Sequence, residues 1–76
     1  LELNNKFDII FLDPPYKDKN LNNLLYKIKN QKILNKNGII ILHRHKNEED
    51  TFPTSFNLLE QKKYGISKIT FLSYLN

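Results

Sequence analysis

The chain has 76 residues, which is enough for one small domain with a modest core. It contains no cysteine, which excludes disulfides and thiolate metal sites and is typical of a cytoplasmic protein, and it shows neither a membrane-spanning apolar run nor a signal-peptide pattern. The formal net charge of +4 suits a polyanionic partner, although abundant Lys, Asn and Ile, with no Ala or Val, also indicate an A/T-rich genome.

The first predicted strand is the mostly apolar run Phe7–Leu12. Such a run is typical of a parallel strand that is covered on both faces. Pro14 and Pro15 cannot extend it because each lacks an N–H, so we expect the strand to end at Leu12 or Asp13. Ligands of open α/β sheets bind beyond the carboxyl ends of the strands, which predicts a site in the loop that begins at Asp13.

A helix is predicted next, with Asp18 or Asn20 as its N-cap. Apolar residues at helical spacing form its buried face: Leu21, Leu24, Leu25 and Ile28. We expect the helix to end near Leu34, because Asn35–Gly38 contains residues that tolerate a left-handed backbone. The lysines are predicted to form its solvated face: Lys27, Lys29, Lys32 and Lys36.

The apolar run Ile39–Leu42 predicts a second strand, parallel to the first and reached by a right-handed crossover. A charged stretch from residue 43 to residue 50 and a loop around Pro53 follow. Phe56–Lys63 and Ile66–Leu75 are predicted to form a β-hairpin that turns near Tyr64 and Gly65. The last strand carries apolar residues on both faces, which favours an interior position in the sheet.

Four strands and one helix cannot cover both faces of a sheet. The chain also contains no methionine, so we expect that it does not begin at a translation start. The prediction is therefore part of a domain, either a processed product or a piece of a longer protein.

The Asp13–Tyr16 segment, Asp-Pro-Pro-Tyr, matches the [Asp/Asn]-Pro-Pro-aromatic signature of methyltransferases that act on amino nitrogens. An exocyclic amine of a base is a poor nucleophile because its lone pair is delocalised into the ring. The Asp13 carboxylate and the Pro14 carbonyl can accept its two N–H groups and stabilise the positive charge that grows on nitrogen. Pro15 helps to keep these acceptors rigid, and Tyr16 offers a face on which a base can stack. The alternative is structural: Asp-Pro-Pro also stops strands, and a tyrosine after it can simply cover the sheet edge.

His43, Arg44 and His45 are predicted to lie at the sheet edge beside Asp13, where they contact RNA phosphate or are merely solvated. The two histidines lack a third ligand on a rigid spacing, so we expect no metal site. The acidic residues 48–50 are expected to be a charge cluster on a flexible loop and not a catalytic pair.

The run from Phe7 to Tyr16 resembles the fourth motif of class I, S-adenosylmethionine-dependent methyltransferases. More narrowly, the chain resembles the C-terminal portion of the RsmD family, which methylates a guanine N2 in bacterial 16S ribosomal RNA. Further support comes from the helix length, from Asn37–Leu42 and from Lys63–Phe71, which is similar to that family's closing hairpin. The resemblance covers nearly the whole chain.

This resemblance implies an α/β fold, the C-terminal half of a Rossmann-like sheet with a β-α-β unit, a hairpin and an antiparallel last strand. It implies a single domain whose cofactor-binding N-terminal half is absent, since Gly38 and Gly65 are isolated and cannot form the glycine-rich cofactor loop. S-adenosylmethionine is the implied cofactor, with Asp13 as a contact. Ribosomal RNA or the small ribosomal subunit is the implied partner. A companion chain is a possible source of the missing half. The family often carries an acid where this chain has His43, Arg44 and His45. This departure bears on activity and the missing half on cofactor binding, so we expect the isolated chain to bind S-adenosylmethionine weakly or not at all and to be inactive.

Two other functions remain open from the sequence. The same tetrapeptide serves DNA adenine-N6 and protein-glutamine methyltransferases, which methylate a different amine. The chain could also be a non-catalytic remnant that keeps only a basic surface.

Overall fold

The computed structural model describes residues 6–14 and 20–75, which form four strands and one helix. The elements are β1 (Phe7–Leu12), α1 (Leu21–Asn30), β2 (Leu34–His45), β3 (Phe56–Tyr64) and β4 (Ser67–Tyr74). The predicted order of a strand–helix–strand unit followed by a hairpin is confirmed.

The four strands form one mixed sheet in the order β1-β2-β4-β3. β1 and β2 are parallel, whereas β4 is antiparallel to both of its neighbours, β2 and β3. The predicted interior, antiparallel position of the last strand is therefore confirmed. This topology is the α/β arrangement that the resemblance implies for the C-terminal portion of a Rossmann-like sheet.

Helix α1 covers one face of this sheet. Its apolar residues Leu21, Leu25 and Ile28 are buried, as their spacing predicts. They pack with buried side chains of β2, β3 and β4: Leu34, Ile40, Leu42, Phe56 and Leu72. Burial of these side chains is the main source of stability for so small a domain.

The opposite face of the sheet is open within the described residues. Ile9 and Phe11 alternate with the half-buried Ile10 and Leu12 along β1, and they are 61% and 60% exposed. Among the described residues β1 is therefore covered on one face only, by α1, and not on both faces as predicted. Among residues 6–14 and 20–75, this face of the sheet has no covering element, and a covering element from elsewhere stays a prediction.

The helix ends earlier than predicted, at Asn30 and not near Leu34. The backbone N–H of Lys32 donates to the Lys29 carbonyl and that of Ile33 to the Ile28 carbonyl, which is the Schellman pattern of helix termination. Lys32 takes the left-handed conformation, with φ of 55°, that glycine usually supplies at this position. Because the sequence has no glycine at this position, the pattern predicts a later helix end, at Asn35–Gly38.

The Asn35–Gly38 segment lies inside β2 and is not a turn. Gly38 is buried there, and a Cβ atom on it would come within 2.5 Å of the Leu34 Cδ1 atom. A glycine is therefore required for packing at this point of the strand. The pairing of β1 with β2 is irregular beside this segment, between Phe7 and Ile9.

β2 extends beyond its predicted range of Ile39–Leu42 at both ends, whereas the ends of the two hairpin strands differ from prediction by one residue at most. The hairpin turns at Gly65 and Ile66, between the paired residues Tyr64 and Ser67, and Gly65 has the positive φ of 56° that such tight turns favour. Asn20 occupies the N-cap position of α1, as one of the two predicted alternatives, but its side chain makes no capping hydrogen bond. The other alternative, Asp18, lies outside the described residues.

Candidate active site

The candidate site forms where the parallel strands β1 and β2 end. Their register pairs Leu12 with Leu42, so the next residues, Asp13 and His43, lie beside each other at the carboxyl edge of the sheet. His43 Nδ1 lies 3.1 Å from the Asp13 carboxylate oxygen Oδ1. The Asp13 side chain is 61% exposed, so this carboxylate faces outward and is not packed inside the protein.

A second contact fixes His43 from the other side. β4 begins at Ser67, which pairs with His45 of β2, and the Ser67 hydroxyl lies 2.8 Å from His43 Nε2. An ionised carboxylate can only accept hydrogen bonds, so the Nδ1 atom of His43 carries the proton that is shared with Asp13. Nε2 is then free to accept from the Ser67 hydroxyl. These contacts link the ends of three strands into one chain, Asp13–His43–Ser67.

A pocket of about 180 Å³ opens beside the hydrogen-bonded series Asp13–His43–Ser67. Its lining residues are Asp13, Pro14, His43, Arg44, His45, Ile66 and Ser67. The volume is below the range of about 300–1,000 Å³ that is usual for small-molecule and cofactor sites. It can accept a ring-sized group at Asp13 but cannot enclose a nucleoside cofactor by itself.

Arg44 differs from its two histidine neighbours because successive residues of a strand face opposite sides of the sheet. Its guanidinium group forms a bidentate pair with Asp50, with Nε and Nη2 at 3.0 and 3.1 Å from the two carboxylate oxygens. The Arg44 side chain is only 3% exposed, and the Glu48 carboxylate lies 3.7 Å from Nη2. Nearby, Lys68 is buried and donates to the Glu48 carbonyl.

These contacts correct one sequence-based expectation. Arg44 is not merely solvated, because Glu48 and Asp50 neutralise its buried guanidinium group and hold the loop after β2 against the sheet. Arg44 has a structural role in this contact, and a role in substrate binding stays a prediction.

His45 lies on the same side of β2 as His43 and at the rim of the pocket. Its Nδ1 atom accepts a hydrogen bond from the backbone N–H of Asn47, at 3.1 Å, which fixes the ring against the following turn. The structure therefore brings both histidines to the Asp13 edge.

Not every residue of the predicted site can be located. Asp13 and Pro14 lie at the pocket, whereas Pro15 and Tyr16 fall outside the described residues, so their roles stay predictions. The sequence reading missed Ser67. Ser67 could have been found from its place at the start of the last strand, because antiparallel pairing of that strand with β2 brings its first residue to the end of β2.

Two further features of residues 6–14 and 20–75 bear on function. No group of three or more metal-ligating side chains is placed there to hold a metal ion. No helix in this part of the chain has the length and apolar character needed to cross a bilayer.

Comparison with known proteins identifies related sequences and folds. The model of the family described as "Conserved hypothetical protein 95" matches residues 1–73. A search of curated proteins finds no match.

Solved structures give the fold independently. HI0767 of Haemophilus influenzae, named as a candidate methylase, is 25% identical with a TM-score of 0.76, and the match covers 95% of this chain and 45% of that protein. A conserved hypothetical protein of Streptococcus pyogenes is 24% identical with a TM-score of 0.83, over 96% of this chain and 46% of its own. The Escherichia coli protein yhhF, named as a candidate methyltransferase, is 18% identical with a TM-score of 0.72, over 92% of this chain and 38% of its own. The chain thus spans less than half the length of these relatives.

Proposed function

The chain belongs to the RsmD-like family described as conserved hypothetical protein 95, and from this membership we propose that it is the C-terminal part of an S-adenosylmethionine-dependent methyltransferase that modifies an amino nitrogen. The family and the likeness to HI0767 support a methyltransferase. The proposed acceptor is the N2 amine of a guanine in 16S ribosomal RNA, which places the protein in the cytoplasm with the small ribosomal subunit as its partner.

One observation supports the amine-directed chemistry most strongly. The Asp13 carboxylate, the first residue of the Asp-Pro-Pro-Tyr segment, is exposed at the carboxyl end of β1 and borders a pocket. An acceptor amine in this pocket can donate one N–H to Asp13 and the other to the Pro14 carbonyl. Both contacts strengthen as positive charge grows on the nitrogen, so they stabilise the transition state more than the bound substrate.

Tyr16 is proposed as the stacking surface for the base, with His43 and His45 at the pocket rim beside the adjoining nucleotides. A base that is flipped out of a helix or lies in a single strand can reach such a pocket, since stacking on an aromatic ring stabilises it by about 1–3 kcal/mol. The overall charge of +4 also favours binding to a polyanion.

The residues described here do not fit a complete cofactor site. Gly38 is buried inside β2 and Gly65 turns the hairpin, so neither belongs to a glycine-rich loop that could approach a cofactor. The pocket is also too small for a nucleoside cofactor. S-adenosylmethionine would supply the methyl group from a site built mainly by the rest of the domain, and a contact from Asp13 is the proposed contribution of this chain.

The test is methyl transfer by a reconstituted protein, in which this chain is joined to the part of HI0767 that precedes the matching region. Transfer of labelled methyl groups is measured to small-subunit ribosomal RNA, to adenine-containing DNA and to a glutamine peptide. The expected result is transfer to ribosomal RNA, at guanine N2, with no transfer by the HI0767 portion alone. Transfer to DNA or to the peptide would replace the proposed substrate, and no transfer to any acceptor would favour the non-catalytic remnant.

A further inference from the structure

We propose that His43 is a positioning residue for Asp13, and that the Ser67 hydroxyl fixes the imidazole in the orientation this requires. The inference rests on the proposed function and adds two residues to it. His43 holds the Oδ1 oxygen of Asp13, which directs the remaining Oδ2 oxygen toward the acceptor amine.

Asp13 needs such a partner because of where it lies. It lies in the loop after β1, its side chain is 61% exposed, and its carboxylate could otherwise rotate among several orientations in water. The hydrogen bond from His43 Nδ1, at 3.1 Å, restricts this rotation. A displacement of about 1 Å in a reacting group can cost a factor of about 100 in rate, so orientation of this carboxylate matters.

The chemistry of the two contacts is suited to this task. When Nδ1 carries a proton and Nε2 does not, the imidazole has no charge and leaves the full negative charge on Asp13, where it can face the positive charge that grows on the amine. The Ser67 hydroxyl can both donate and accept, so its contact with Nε2, at 2.8 Å, maintains the ring orientation if the imidazole becomes protonated. The carboxylate keeps enough lone pairs to accept from His43 and from a substrate N–H together.

The order Asp13–His43–Ser67 has the same contacts as the triad of serine hydrolases, but the exposure of the carboxylate differs. In a hydrolase triad the carboxylate is buried and stabilises an imidazolium ion. Here the carboxylate is the most exposed member of the three, which fits direct contact with a substrate. Ser67 then orients the imidazole and is not a nucleophile.

The first test uses the 76-residue chain itself. Nitrogen-detected NMR of the histidine rings should show the proton of His43 on Nδ1, and this preference should be lost in Asp13→Ala and weakened in Ser67→Ala. Ser67 should not react with a fluorophosphonate probe. Proton occupancy mainly on Nε2, or labelling of Ser67, would overturn the proposal whether or not the chain takes part in methylation.

The second test is kinetic, in the reconstituted protein described above. His43→Ala should lower kcat by about 10- to 100-fold, the usual worth of a hydrogen bond to a charged group, with little change in the KM for S-adenosylmethionine. His43→Asn should recover most of kcat, because its amide N–H lies near the position of Nδ1. Lys29→Ala, an exposed substitution on α1, serves as the matched control.

The outcomes separate the two proposals. Loss of activity in both His43→Ala and His43→Asn, or no loss in either, would refute the positioning role while the methyltransferase function stands. If the unchanged protein transfers no methyl group, the proposed function fails and the positioning role fails with it. In that case the NMR result still reports whether the Asp13–His43 contact exists.

Discussion

Replacement of Asp50 by alanine should destabilise the chain strongly, because it leaves the buried guanidinium of Arg44 without its main counter-ion. The Arg44 side chain is 3% exposed and the Asp50 side chain 12% exposed, so water cannot solvate the guanidinium charge in place of Asp50. Breaking such a buried pair by removing one partner typically costs about 3–5 kcal/mol. Glu48 remains 3.7 Å from Arg44 Nη2 and compensates in part, which places the expected loss near 3 kcal/mol.

The measurement is urea unfolding of the 76-residue chain, followed by circular dichroism, with the free energy of unfolding taken from the midpoint and slope. Glu49→Ala is the matched control, because Glu49 is the exposed acid of the same loop and should change stability by less than about 0.5 kcal/mol. Replacing Arg44 with methionine together with Asp50 with leucine should recover most of the loss. A cost of Asp50→Ala equal to that of Glu49→Ala would refute the view that this pair anchors the loop after β2.

Three further outcomes follow from other parts of the molecule. Lys32→Gly should raise the free energy of unfolding by about 1 kcal/mol, since Lys32 has a left-handed backbone, and an unchanged urea midpoint would contradict the observed helix stop. Burial raises the pKa of Tyr74 above its ordinary value of 10.0, with a backbone hydrogen bond to Leu34 partly offsetting the effect. The folded state therefore holds this proton more tightly than the unfolded state. The contribution of Tyr74 to the free energy of unfolding should be fully present below pH 10 and should be lost at higher pH. The free energy of unfolding of Tyr74→Phe should fall less steeply with rising pH, and equal slopes for the two proteins would contradict this. The isolated chain should show little or no heat of S-adenosylmethionine binding in calorimetry, and micromolar binding would contradict the incomplete cofactor site.

Much of the fold could be predicted because hydrophobic pattern and connection length decide it. The apolar runs and the helical spacing at Leu21, Leu25 and Ile28 gave the element order, and the crossover length gave the parallel pairing of β1 with β2. Boundaries were less predictable. Asn37 and Gly38 resemble a stop signal, yet Gly38 is needed for close packing against Leu34, and a lysine takes the left-handed position instead.

The candidate site was predictable in part for a similar reason. The local signal of Asp13 and Pro14 after a strand indicated the carboxyl edge of the sheet, where the pocket lies. The Asp13–His43 contact depends on the register Leu12–Leu42, and the His43–Ser67 contact on the pairing of β2 with β4, neither of which is written in a local pattern. The alternation that turns Arg44 away from the histidines could have been predicted, had β2 been extended to His45.

The most direct test of the methyltransferase proposal is substitution of Asp13 in the reconstituted protein. Asp13→Ala should lower the methyl-transfer rate by about 100-fold or more, as removal of a preorganised electrostatic contact usually does, and Asp13→Asn, which keeps one acceptor oxygen, should retain more activity than alanine. Methyl transfer by Asp13→Ala at the rate of the unchanged protein would contradict the assignment of this carboxylate to the acceptor amine.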